Sequence, residues 1–365
     1  MLLVMHQGAA HRSRFDRSCH AMEACYSRLH GRFDGCLRQS ELLGPPLSFR
    51  RPEIELTIGH KTIATAAEAF HTLEELALRP GRQTVFRGHR KEGWRLTSTL
   101  HRHGGLLQTH SLDGALSHFI VNLKSVGTPI PFAVDDRRAR MEYGRHYGIP
   151  SPLIDFSYSP YVAMFFAFDG VRPEASAGEQ AVIYALDVTN LGMIWARHVS
   201  PSGDPAGTHF NRAYARFMTE FRKFDPAADG TGPATTHFFG DGYPQNELKL
   251  FAFPASWNIR MQRQMGAFLY DTNRYGRGLK DLEEFIEKEA EIPGPDGSEP
   301  CLIKIRTPHA LAREVFERLE LAGIIGTRLL DDHEGAAADV KNAVVYNRRT
   351  GYAWDLILPT TTFQG

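Results

Sequence analysis

An extended segment that leads into an almost wholly apolar helix is the feature that most constrains how this chain folds. Residues 149–156 contain Pro150 and Pro152 and are followed by Pro160, and proline favours extended backbone in the residue before it. Pro160 then opens the run PYVAMFFAF, and proline is favoured in the first turn of a helix. The run predicts a buried helix that ends at Phe168. It is far shorter than the roughly 18 apolar residues of a membrane-spanning helix, so we expect no membrane anchor.

Amphipathic runs on either side of this segment predict further helices. Thr65 and Glu68 form a capping-box pair at the start of one helix, and Pro80-Gly81 ends it. Gly148 predicts a left-handed C-terminal cap for another helix. The remaining pattern predicts helices over 111–125, 137–147, 307–321 and 335–346.

The strand predictions fall between the helices. β-Branched and aromatic content predicts strands over 83–86, 181–188, 251–253, 267–270 and 302–305, with Gly- and Pro-rich loops over 201–208 and 225–236. Helices and strands interleave without a regular βαβ cadence. We therefore predict an α+β fold, with a mixed, largely antiparallel sheet as its core and flanking helices.

Charge divides the chain into a basic leader and a slightly acidic remainder. The whole chain has 42 basic and 42 acidic side chains, which argues against a strong sequence-independent grip on nucleic acid and leaves only a local basic patch for such a partner. Residues 1–51 carry eight arginines and four acidic residues. We predict a basic, disordered extension over 1–50, a folded domain over 55–347 and a C-terminal tail over 348–365.

Cysteine usage indicates a reducing compartment and no metal centre. Four cysteines in 365 residues are too few for a disulfide scaffold. The group Cys19, His20, Cys25 and Cys36 lacks a CxxC pair and fits no common zinc spacing, so we predict no bound metal. The apolar start MLLVM is not followed by a longer apolar stretch or a cleavage site. We therefore expect a cytoplasmic protein.

Three clusters of polar and turn residues interrupt the apolar elements. The first is Phe86-Arg87-Gly88 followed by Trp94, the second runs over 143–157, and the third runs over 258–268. Together they resemble the FRG domain family, which is named for its Phe-Arg-Gly tripeptide. The family pattern has that tripeptide at a strand end, then Trp-x-Leu, then a block similar to QHYGLPTRLLDWT that enters an apolar helix, and later R-x-x-x-Q-x-G-x-F. Residues 319–338 also look like the family's closing region, so the resemblance covers about residues 56–343.

The chain departs from the family pattern at three positions of the second block. Arg145 stands where the family usually has Gln, Pro152 where it has Arg, and Phe156 where it has Trp. The missing arginine weakens anion binding by this block and leaves Arg87 and Arg260 as the matching cations. The resemblance implies an arrangement of motifs similar to that of ADP-ribosyltransferase-type domains that use NAD. Some members of the family look like toxins or phage-defence effectors.

The cationic and glycine positions predict a phosphate-binding role. A planar guanidinium suits bidentate binding of a pyrophosphate, which is the role we predict for Arg87, and Gly88 would let backbone approach the ligand. The alternative for Arg87 is a structural ion pair with Asp155 that holds two loops together. Arg260 is the second predicted cation of this site.

The second and third blocks supply the predicted chemistry. Asp155 would act as a base, a ribose-hydroxyl acceptor or an oxocarbenium stabiliser, unless it only pairs with Arg87 or Arg260 or caps the helix that begins near Pro160. Ser159 is better placed as that cap. His146 lies at a helix C-terminus, which suits either an acid or a helix cap. Gln264 would orient a ribose or an attacking water, unless its side chain only bonds to backbone at a helix end.

Aromatic residues and one further carboxylate complete the candidates. Tyr147 would stack against nicotinamide. Trp94 suits either stacking on a base or a half-buried strand. Glu247 is the nearest carboxylate upstream of the third block and would serve as the acid that such chemistry needs, unless it is simply solvated.

Two functions from different classes follow. The first is an enzyme that cleaves the nicotinamide–ribose bond of NAD and passes ADP-ribose to an acceptor that the sequence does not name, or to water. The second is a module that senses a nucleotide or partner without catalysis. A nuclease would need a carboxylate cluster for metal, for which only residues 331–334 qualify, and such a run is typical of a solvated turn.

Overall fold

A computed structural model of the protein describes residues 58–102, 109–172, 178–200, 207–223, 248–251, 257–271, 281–289, 300–330 and 332–345. The predicted N-terminal extension, the loop over 225–236 and the tail over 348–365 lie outside these ranges, as do most of the loop over 201–208, the Cys19–Cys36 group and Glu247.

The described strands form one seven-stranded sheet. They are β1 (Ile58–Thr62), β2 (Thr84–His89), β3 (Leu153–Ser157), β4 (Gln180–Asp187), β5 (Leu248–Phe251), β6 (Gly266–Asp271) and β7 (Leu302–Pro308), in the spatial order β1-β7-β4-β2-β3-β6-β5. β1 and β7 are parallel, and the other neighbouring pairs are antiparallel. The predicted α+β fold with a largely antiparallel sheet is confirmed.

The described helices flank this sheet. They are α1 (Ala66–Ala77), α2 (Thr99–Arg102), α3 (Thr109–Ser125), α4 (Arg137–His146), α5 (Pro160–Phe168), α6 (Val188–Val199), α7 (Thr208–Lys223), α8 (Ile259–Arg263), α9 (Leu282–Glu289), α10 (Ala312–Leu321), α11 (Gly326–Leu329) and α12 (Asp332–Val345), with a 3₁₀ turn at His309–Leu311. The Thr65 hydroxyl accepts from the Glu68 amide at the start of α1, and the Ser159 hydroxyl accepts from the Val162 amide at the start of α5. Gly148 follows α4 with a φ of 84°, as its predicted cap requires.

Several predicted boundaries are wrong, each for a local reason. β2 continues to His89, so Arg87 and Gly88 lie inside the strand, where they pair with β4, and not after it. The predicted helix over 307–321 begins later, because Thr307 and Pro308 still pair with β4. β1 and the helices α2, α6, α7, α9 and α11 were not predicted from the sequence. In α6 the strand runs into the helix without a break, and the Asp187 side chain caps it by accepting from the Asn190 amide.

Apolar side chains cover both faces of the sheet. Alternate residues of β4 belong to different clusters, with Ile183 beside α1, α5 and α10 and Tyr184 beside α6 and α9. Because successive side chains of a strand point to opposite faces, a strand covered on both sides is apolar throughout. This explains why residues 181–186 form a continuous apolar run. The helix that the sequence predicts to be buried, α5, lies in the first of these clusters.

Gly88 sets how closely β2 approaches α5. A Cβ atom at this position would lie 2.6 Å from the Ala167 amide nitrogen and closer still to the Ala163 carbonyl oxygen. Both atoms belong to the backbone of α5, which cannot move aside as a flexible side chain can. The contact gives Gly88 a packing role that the sequence did not indicate.

Gly88→Ala should therefore lower the free energy of unfolding by about 2 kcal/mol or more, since the added methyl group meets helix backbone. Chemical denaturation measures this change. Gly93→Ala is the matched control, because a Cβ at Gly93 meets nothing within 4 Å and we expect a change below about 1 kcal/mol. Equal effects of the two substitutions would contradict the packing role.

Candidate functional site

The candidate site lies where the ladder between β2 and β3 opens. These strands pair only at Phe86 and Ser157, although their neighbours pair along most of their length. Beyond that pair lies a cleft of about 490 Å³. It brings together the three sequence blocks and is lined by residues that include Arg87, Gly88, Trp94, Arg102, Arg145, His146, Asp155, Asn258, Arg260 and Gln264.

Arg87 bridges the open ladder. Its Nη1 donates to the Asp155 backbone carbonyl at 2.5 Å and lies 3.7 Å from the Asp155 carboxylate. Its Nε donates to His89 Nε2 at 2.8 Å. The guanidinium thus replaces the backbone donor that a continued ladder would provide. The ion pair with Asp155 that we gave as the structural alternative is present, and the same Arg87 side chain lines the cleft.

Arg145 is the stronger partner of Asp155. Its Nε donates to Asp155 Oδ1 at 2.5 Å, and its Nη2 donates to Oδ2, so the pair is bidentate. Burial raises the pKa of Asp155, but Arg145 and then Arg87 outweigh burial and the net shift is downward. The carboxylate is 39% exposed, whereas the Arg145 side chain is 14% exposed. Asp155 therefore stays ionised with part of its surface towards the cleft.

The cations of this cleft outnumber the carboxylates that pair with them there. Arg87, Arg102 and Arg145 lie around Asp155, and among the described residues Arg102 has no carboxylate within ion-pair distance. Burial is the main cause that lowers the pKa of Arg87 to about 10. The positive charges of Arg145 and Arg102 also lower this pKa, whereas the negative charge of Asp155 raises it. Burial, followed by the charge of Arg145, also lowers the pKa of Arg102. An anion that entered the cleft would relieve this repulsion.

His89 is a cleft residue that the sequence did not single out. Its Nε2 accepts from Arg87, so its Nδ1 carries the proton and donates to the Trp94 carbonyl at 3.2 Å. Burial, with the positive charge of Arg87, lowers the pKa of His89 to about 3. The ring is therefore neutral at physiological pH and acts as a fixed spacer between Arg87 and the loop of Trp94. Residues two apart in a strand face the same side of the sheet, so a strand that includes both Arg87 and His89 would have indicated that His89 lies beside Arg87.

The third block contributes from α8 and the turn after it. Arg260 Nη1 donates to Glu334 of α12 at 2.7 Å, and Gln264 Nε2 donates to the Leu329 carbonyl at 3.0 Å. The Gln264 backbone carbonyl in turn accepts from the Ser157 hydroxyl at 2.7 Å. Met265 follows with a φ of 48°, the left-handed conformation that closes a helix. The backbone-bonded helix-end role that we gave as the alternative for Gln264 is present, and the residue also lines the cleft.

The remaining predicted residues occupy different positions. His146 lines the cleft from the end of α4. Tyr147 is not among the described residues that line it, and its ring packs against Phe119, Tyr143 and His146. Gly88 lines the cleft, but the close approach of the α5 backbone is the reason that this position requires glycine.

The described residues contain neither a candidate metal centre nor a candidate membrane-spanning helix. Among these residues, no group of three or more His, Cys, Asp or Glu side chains is placed to hold a metal ion. Asp331 and the Asp332 side chain lie outside the described part of the 331–334 run. No helix within the described ranges has the length and apolar character that crossing a bilayer requires.

Comparison with protein families identifies part of this site. Residues 82–176 match the model of the FRG domain. The chain contains an FRG domain. The match covers β2, α4, β3 and α5, and so it includes Arg87, His89, Arg145 and Asp155. Arg260 and Gln264 complete the cleft of the FRG domain from outside the matched segment. Neither a search of curated proteins nor a search of solved structures gave a match.

The buried neutral His89 predicts a stability change with pH. Its folded pKa of about 3 lies below the ordinary value of 6.5, so protonation favours the unfolded chain as the pH falls from about 6.5 towards 3. His89→Gln keeps an acceptor for Arg87 and removes the titration. Between pH 6.5 and pH 4.5, the wild type should lose about 2 kcal/mol more unfolding free energy than the variant.

Denaturant titrations at a series of pH values measure this difference. Between pH 7.5 and 8.5 the two stability curves should run parallel, because His89 is neutral in both folded and unfolded chains there. Parallel curves over the acidic range as well would show that His89 is not held neutral in the fold.

Proposed function

We propose that the FRG domain binds a nucleotide through its phosphate groups, with NAD as the candidate ligand. The observation that carries the proposal is the excess of guanidinium groups over Asp155 in one cleft. Arginine presents donors in a planar fork that matches phosphate oxygens. Arg102 is the cation best placed to take a pyrophosphate first, because its charge lacks an ion-pair partner among the described residues.

The chain's own groups also suit contacts with a ribose. Asp155 is a carboxylate that is held in place by two arginines and is partly open to the cleft. Gln264 is anchored through Nε2, and its Oε1 has no hydrogen bond to a described residue. Both offer acceptors for sugar hydroxyls, and the fixed negative charge of Asp155 would stabilise positive charge that develops at the sugar.

The reaction that this arrangement supports is cleavage of the nicotinamide–ribose bond. The bond from C1′ to the pyridinium nitrogen breaks, and its electron pair leaves with nicotinamide. Water or an acceptor group then forms the new bond at C1′ and releases one proton. The products are nicotinamide and ADP-ribose, free or attached to the acceptor. Depletion of NAD or modification of an acceptor is how such an enzyme would act as a toxin or phage-defence effector.

The second candidate, a non-catalytic nucleotide sensor, is favoured by a different observation. Both oxygens of Asp155 already accept from Arg145, which limits their use as a base. In this case the ligand would bind and neutralise the arginines, and no bond would break. Binding and nicotinamide release must therefore be measured separately.

Arg102→Ala should weaken NAD binding about tenfold or more, since it removes a charged hydrogen-bond donor from the cleft. Calorimetric titration measures the affinity. Arg313→Ala is the matched control, because Arg313 is exposed on α10 and, among the described residues, its ion pair is with Glu317 one turn away. If NAD does not bind the wild type, or if the two variants lose affinity equally, the proposed nucleotide site is wrong.

Nicotinamide release separates the enzyme from the sensor. Asp155→Asn should lower the release rate by about a hundredfold or more if Asp155 stabilises charge at the sugar. Circular dichroism of the variant checks its folding, because the substitution leaves two arginines without their counter-charge. NAD binding without release by the wild type would favour the sensor.

Glu334 gives a further test of the cation set. It holds Arg260 in an ion pair at 2.7 Å, with the Glu334 side chain 62% exposed. Glu334→Gln should release Arg260 to the ligand and raise NAD affinity about two- to fivefold, in keeping with the small free energy of exposed ion pairs. Glu317→Gln on α10 is the matched control, and it should leave affinity unchanged. Weaker binding by Glu334→Gln would argue against a role for Arg260 in the site.

A further inference from the structure

Trp94 is a large ring that the fold leaves exposed at the edge of the cleft. Trp94 is 44% exposed and lines the cleft, whereas Trp195 is 8% exposed. Leaving an indole in water forgoes the free energy that its burial would provide. The exposure does not follow from a loose loop, because the backbone on both sides of the ring is held by several hydrogen bonds.

Those hydrogen bonds hold the backbone that carries the ring. The Trp94 carbonyl accepts from His89 Nδ1 at 3.2 Å, and the Trp94 amide donates to the Lys91 carbonyl at 3.1 Å. Two residues further on, the Leu96 amide donates to Glu283 Oε1 at 3.2 Å. The loop is thus fastened to the sheet through His89 and to α9 through Glu283. Because the loop backbone is already ordered, its ordering adds little entropic cost when a ligand stacks on the ring.

His89 connects the exposed ring to the cationic part of the cleft. The same imidazole accepts from Arg87 through Nε2 and donates to the Trp94 carbonyl through Nδ1. One buried side chain thus links the Arg87 guanidinium to the Trp94 backbone, and the Tyr184 hydroxyl donates to the same Trp94 carbonyl at 3.3 Å. Arg90 places a second guanidinium 5.7 Å from the centre of the indole ring. The cleft thus presents an exposed indole ring and several guanidinium groups on one surface.

We infer that Trp94 stacks on the aromatic base of a nucleotide whose phosphates bind the arginines of the cleft. The inference rests on the proposed function and narrows its ligand class. A nucleotide with a base would bind, and a bare polyphosphate or sugar phosphate would bind less tightly. Stacking on an aromatic side chain tolerates any base, because every base has a π-face.

The test compares ADP with inorganic pyrophosphate in calorimetric titrations of the full chain. The wild type should bind ADP about tenfold or more tightly than pyrophosphate, within the range expected for stacking of one base. Trp94→Ala should lose most of that ratio and keep its pyrophosphate affinity. Trp94→Phe should retain a large part of the ratio, since phenylalanine still offers an aromatic face.

Indole fluorescence gives a second readout that does not depend on catalysis. ADP should quench the wild-type emission more than pyrophosphate does, and Trp94→Phe should abolish the difference. If pyrophosphate binds but the ADP ratio is the same in the wild type and Trp94→Ala, the stacking inference is wrong and the arginine site stands. If neither ligand binds the wild type, the proposed phosphate site and the stacking inference both fail.

Discussion

The gap between β2 and β3 is the constraint on which the rest of the site depends. Because β2 and β3 pair at one residue pair and then separate, backbone groups beyond that pair need other hydrogen-bond partners. The Arg87 side chain donates such a hydrogen bond to the Asp155 carbonyl. That bond draws a buried cation to the opening, and the Asp155 carboxylate and Arg145 are arranged around it. The cleft is therefore a consequence of how the sheet opens, and its positive character follows from the residue used to hold it open.

Local signals were enough to predict much of the fold. The Thr65 and Ser159 caps, the Gly148 cap and the apolar run of α5 depend on residues a few positions apart. Boundaries failed where pairing partners far along the chain decided them. Thr307 remains in β7 because β4 lies beside it, which the helix-like pattern after Pro308 does not reveal.

The candidate site was predictable only as a set of blocks. The motifs indicated that Arg87, Asp155 and Gln264 belong together, and the cleft places them on one surface. The pair of Asp155 with Arg87 was among the predicted alternatives, whereas its bidentate pair with Arg145 was not, because that pair depends on how α4 lies against β3. Pro152 stands where the pattern that the sequence resembles has an arginine, and the bidentate partner of Asp155 in this chain is Arg145 on the neighbouring helix α4.

The burial of the arginines affects how strongly salt should weaken the binding of an anion in the cleft. The Arg87 and Arg145 side chains are only 16% and 14% exposed, so most of the water around their charges is already removed when the chain folds. An arriving anion would displace few ordered waters from these groups, and the surrounding protein would screen the attraction less than bulk solvent does. Most of the free-energy cost of desolvating these two guanidinium groups is thus incurred during folding. Anion binding in this cleft should therefore be less sensitive to ionic strength than anion binding to arginines on an open surface.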